Sequence, residues 1–94
     1  MKMNLDVTYN DGATVAAKVA AVDFVRFEEA FNRSVAKFQT ELKFTDLCWL
    51  AWHSLSRADK NLGEFHVWLE NVEGVAFGED SEIVPLESPA SIGQ

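Results

Sequence analysis

Few residues of this 94-residue chain could do chemistry: one cysteine, two histidines, and fifteen acids against eight bases. Cys48 and His53 stand five apart in the run FTDLCWLAWHSLSR at 44–57. In a helix that separation turns the two side chains apart by roughly 140°, so a thiol–imidazole dyad there is geometrically poor. Cys48 reads instead as a small buried hydrophobe. His53 and His66 could meet across two helices, but two imidazoles alone define no reaction. With a single cysteine they are also too few for a zinc site of the usual Cys/His type. One cysteine excludes an internal disulfide, and with it a disulfide-stapled secreted scaffold. The five glycines are scattered at turns and ends, so no phosphate-cradling loop is present. Glu28-Glu29 and Glu79-Asp80 read as solvated acids. Nothing here assembles a nucleophile, an acid/base pair or a metal in one place. The expectation is a protein that is not an enzyme and uses no cofactor or metal.

The elements that must position these residues follow from periodicity. Residues 2–9, KMNLDVTY, alternate, with Met3, Leu5, Val7 and Tyr9 on one face. Asn10-Asp11-Gly12 supplies a tight turn, and 13–19 resume alternation, so a β-hairpin is expected. A lone hairpin is barely stable, so its apolar face must lie on something. From Asp23, a plausible N-cap, Phe24, Phe27, Phe31, Val35 and Phe38 recur at helical spacing and predict an amphipathic helix of about four turns. Glu29 and Arg33 are placed for an i,i+4 pair on it. A second helix runs to about Arg57, capped by Thr45 or Asp46. Cys48, Ala51, Trp52 and Leu55 form one of its faces, while Leu47, Trp49 and Leu50 spread around the rest. Such a helix is central to its domain or shared with a partner. The stretch 57–63 is a turn, and FHVWLENVEGV reads as a third helix with Phe65, Trp68, Leu69, Val72 and Val75 as its stripe. The fold class is thus α+β: an N-terminal β-hairpin, about three amphipathic helices and a disordered acidic tail. Residues 1–78 make one small domain and 79–94 a Pro-containing flexible tail.

The formal charge of −7 is unevenly placed. Residues 1–62 hold eight acids and all eight bases, while 63–94 hold seven acids and no Lys or Arg. Such an end repels polyanions, so nucleic acid and anionic membrane are not expected partners. The N-terminus lacks the apolar core of a signal peptide and no run approaches membrane-spanning length, which reads as a cytosolic protein.

The aromatics carry the strongest signal: seven Phe, three Trp and one Tyr. A hairpin and two further helices can cover only part of a helix apolar nearly all round. At about 25 cal/mol per Å², an exposed tryptophan leaves several kcal/mol of burial to be found elsewhere. Phe27, Phe31, Trp49, Trp52 and Leu55 are therefore the candidate partner-binding residues, for another copy or an apolar helix laid in a groove.

Three pieces of this pattern, FVRFEEAF, LAWHSLSR and the Phe65-x-x-Trp68-Leu69 group, set behind a strand pair closed by YNDG, resemble the tail assembly chaperones of long-tailed phages, especially those of actinobacteria. The resemblance covers roughly residues 3–76 and includes no catalytic signature. It implies a protein of the host cytoplasm, absent from the mature virion, that binds the tape measure protein. That partner is a long helical chain which aggregates alone, and it would be kept soluble while tail-tube subunits polymerise around it. Many such chaperones also exist as a frameshifted longer form, and this chain resembles the shorter. Self-association through the surplus apolar surface is a further expected contact, read from the residues and not from the resemblance. Two other classes stand beside this one: a small structural tail or head-tail connector subunit, and an acidic inhibitor imitating nucleic acid.

Overall fold

A computed structural model describes residues 3–79. The tail expected at 79–94 lies outside the described residues, Glu79 excepted. The fold is α+β. Strands β1 (Met3–Tyr9) and β2 (Thr14–Val19) form the expected hairpin, with Thr8 opposite Thr14 and Met3 opposite Val19. Its turn takes Gly12 to φ 92°, a conformation costly for a side chain with a Cβ. The Asp11 carboxylate accepts from the Ala13 N–H at 2.9 Å.

Helix α1 spans Ala21–Phe31. It stops two turns before the expected end because Asn32 adopts the left-handed conformation (φ 54°) and donates its N–H to the Glu28 carbonyl. A 3₁₀ turn at Val35–Lys37, opened by the Ser34 hydroxyl accepting from Ala36 N–H, leads into a short α2 (Phe38–Glu41). Phe38 consequently folds back onto Phe24 and Phe27, with ring centroids 6.4 and 5.2 Å away, instead of extending their stripe.

Helix α3 (Phe44–Ala58) crosses the sheet. Leu47, Leu50, Ala51 and Ser54 face inward, against a sheet face built from Met3, Leu5, Val7, Ala17, Val19 and Val75. Each large aliphatic side chain so buried contributes about 1.5–3 kcal/mol. Of the Cys48/Ala51/Trp52/Leu55 face, Cys48 and Ala51 are buried in the core while Trp52 and Leu55 are only partly buried. Trp52 sits on the outside.

The expected third helix is corrected. Helix α4 covers only Phe65–Leu69, and Val72–Phe77 form strand β3. This strand pairs antiparallel with β1, giving the sheet order β2-β1-β3 with the first strand in the centre. Val72 and Val75 are three apart, a helical spacing. They fall opposite Tyr9 and Val7, on one face of the strand, because a bulge opposite Thr8/Tyr9 absorbs the extra residue. The backbone N–H of Asn10 donates to the Asn71 carbonyl and its side-chain amide to the Glu70 carbonyl, pinning the α4–β3 turn to the hairpin tip.

Helices α1 and α3 run antiparallel and are latched at both ends by the same device. In each, an aspartate at the third helical position accepts from the N–H of the residue before the helix: Asp23 from Ala20 at 2.7 Å, Asp46 from Lys43 at 3.0 Å. Each also receives an arginine from the far end of the other helix. Arg57 donates to Asp23 through Nε and Nη2 at 2.9 and 2.8 Å. Arg33 donates to Asp46 through Nη1 and Nη2 at 2.9 and 2.7 Å. The carboxylates stand at helix N-termini and the guanidiniums at or just beyond C-termini, the arrangement the helix dipoles favour. Asp23 therefore sits inside its helix at position three, with Ala20 as the N-cap. Neither Thr45 nor Asp46 caps α3, whose N-cap is Lys43. Arg33 is taken by Asp46, and Glu29 pairs with Arg26 at 3.0 Å instead.

Candidate protein-binding site

Position around α3 decides what its aromatic residues do. With 100° per residue, Trp49, Trp52, His53 and Ser56 fall within one arc of about 100° on the side away from Leu47 and Leu50. All four are partly exposed. Helix α1 flanks it on one side, and α4 with the turn at Lys60–Leu62 flanks it on the other. Between these flanks Trp49 and Trp52 form a partly exposed aromatic strip, called the groove below.

Rings run continuously along this groove. Phe27 touches Phe31 (centroids 4.8 Å) and Trp49 (6.0 Å), and Phe31 meets Trp49 edge-on at 5.5 Å. Trp49 meets Trp52 at 5.9 Å, and Trp52 meets Phe65 at 5.6 Å. Phe65 then continues to Trp68, whose indole N–H donates to the Tyr9 hydroxyl at 3.1 Å. The Trp52 indole N–H donates to the Gly63 carbonyl at 3.0 Å, which fixes that ring against the turn. Offset and edge-on ring pairs of this kind add about 0.5–1.5 kcal/mol each beyond area burial.

The five candidate residues are not equivalent. Phe31 is 36% exposed, and Trp49 and Trp52 are half-buried, so three of them offer surface. Phe27 is fully buried, with the Arg33 guanidinium 5.5 Å over its ring, and supports the groove from behind. Leu55 lies on another flank of α3, where it lines a separate depression with Tyr9, Val15 and Leu62. Phe65 joins the groove, and the sequence reading had assigned it only to a buried stripe.

His53 is where sequence and structure differ most. Its ring stacks on Trp49 (4.9 Å, 18° between planes), and its Nδ1 lies 2.5 Å from Asp23 Oδ1. It meets Asp23 and not His66, which is exposed and lies beside the Phe65 ring. Burial pushes the Asp23 carboxyl up, but hydrogen bonds from Arg57, the Ala20 N–H and His53, with the Arg57 charge, outweigh it and hold the group below its ordinary value. An ionised carboxylate only accepts, so His53 Nδ1 carries the shared hydrogen and Nε2 is left as the ring's other polar atom. Cys48 is buried, and desolvation raises its thiol pKa. Among the described residues no group of three or more His, Cys, Asp or Glu is placed to hold a metal ion, and no helix is long and apolar enough to cross a membrane.

No protein family, curated protein or solved structure matches the chain.

Proposed function

We propose that the chain is a phage tail assembly chaperone that binds the tape measure protein in the host cytoplasm and keeps it soluble while the tail tube polymerises. The observation that carries this reading is the aromatic groove on α3. A small protein brings Phe31 of α1, Trp49 and Trp52 of α3 and Phe65 of α4 into one strip of touching rings and leaves each of them partly exposed. A groove of this form suits the apolar stripe of an amphipathic helix. Many copies, each holding one short stretch, would coat a long helical partner through weak contacts whose sum is strong, and tube subunits could displace them one at a time. The net negative charge of each copy would keep coated partners apart.

The test is co-expression with the tape measure protein of the same genome. The partner should move from the insoluble to the soluble fraction and co-purify with the chain. Unchanged partner solubility beside a well-folded chain would remove the reading. A structural tail or connector subunit is the second reading, because both outer edges of the sheet, on β2 and β3, are unpaired among the described residues and edge pairing assembles subunits. Persistence of the chain in purified particles favours that reading, and its loss from them favours the chaperone.

A further inference from the structure

The aromatic groove ends on polar atoms. Beyond Trp52 it opens into a depression of about 470 Å³ lined by Trp52, His53, Ser56, Arg57, Lys60 and Gly63. Three of these can carry positive charge and none is a carboxylate, on a chain whose formal charge is −7. Of the acids around it, Asp23 is fully buried and already accepts from Ala20, His53 and both Arg57 nitrogens described above, while Asp59 and Glu64, next in sequence to Lys60 and Gly63, are exposed and Asp59 Oδ1 accepts from the Asn61 N–H.

Donors remain unspent at this end. Arg57 commits Nε and Nη2, and its Nη1 has no partner among the described residues. Lys60 makes no ion pair among them. The Ser56 hydroxyl oxygen is buried and makes no hydrogen bond. The cationic end and the apolar floor are continuous along α3, since Trp52 borders both.

We propose that the groove takes an amphipathic helix whose apolar stripe is followed, about one turn on, by an Asp or Glu side chain. That carboxylate seats in the depression against Lys60 and Arg57 Nη1. Trp49 to Arg57 spans about 12 Å of helix rise, which matches two apolar turns followed by one acid. The proposal rests on the helix-binding reading above and adds to it a rule for which helices, and which stretches of them, are taken.

Synthetic amphipathic peptides about four turns long, identical except for Glu, Gln or Lys at the stripe end, test it against the full chain by tryptophan fluorescence. The Glu peptide should bind about three- to tenfold tighter than the Lys peptide at low ionic strength, with Gln between them and the spread closing in high salt. Lys60→Glu, at an exposed position that holds no other side chain, should reverse the order. Equal binding of all three peptides overturns the proposal and leaves the chaperone reading standing. No binding by a folded chain removes both. A Glu preference seen only after E79Q/D80N/E82Q/E87Q makes the chain's own acidic segment the occupant and overturns the assignment to a partner. Dimers that the Glu peptide cannot dissociate make a second copy the occupant, with the same consequence.

Discussion

At the scale of single residues, the two buried aspartates hold the most at stake. Asp23 is inaccessible and stays ionised only because four donors surround it, so Asp23→Asn should cost about 2–4 kcal/mol in denaturant unfolding. The sign of its pH dependence follows from its lowered pKa. The stabilisation is complete above the ordinary carboxylate value of 3.8 and is lost as pH falls through the lower folded value. Acid titration of the wild type should show that loss at the bottom of the pH range, and Asp23→Asn should flatten it. Cys48 gives a second, simpler expectation. Buried and raised in pKa, its thiol should ignore a disulfide reagent at pH 8 in the native state and react at once in denaturant.

At the scale of elements, what ends a helix mattered more than what fills it. The phenylalanine spacing from Phe24 to Phe38 suggests one continuous helix, and three of its five stripe residues, Phe24, Phe27 and Phe38, are buried, while Phe31 is exposed and Val35 partly so. The stop lay in Asn32-Arg33-Ser34, where Asn tolerates the left-handed conformation and Ser caps the next turn. Asn32→Gly should be close to neutral and Asn32→Ala should cost about 1 kcal/mol, read as a difference in urea midpoints. The hairpin was legible because alternation and an Asn-Asp-Gly turn agree. Strand β3 was hidden by its bulge, which gives Val72 and Val75 a helical spacing. The groove was half legible: two tryptophans in one helix announced excess apolar surface. Which face they occupied depended on where the sheet lay, and the Arg57–Asp23 contact joins residues thirty-four apart that no local pattern connects. A double-mutant cycle on Arg33 and Asp46 should show coupling of about 1–3 kcal/mol, well above that of an exposed pair such as Arg26–Glu29.

At the scale of the whole molecule, charge and chain order set the behaviour. With a sequence pI near 4.6, solubility should pass through a minimum near that pH in a turbidity scan. Under the proposed chaperone role, Trp49→Ala and Trp52→Ala chains that remain folded should leave most of the tape measure protein insoluble in co-expression. The sheet order β2-β1-β3 has a separate consequence, for the time course of assembly. The first strand finds one neighbour across a four-residue turn and the other only after everything between Tyr9 and Val72 has been brought into place. Hairpin closure belongs to the microsecond range, whereas the second pairing must first meet the entropy of a loop some sixty residues long. The edge of β1 that faces β3 is therefore the last to close, and until it does the refolding chain carries one unpaired edge on its central strand.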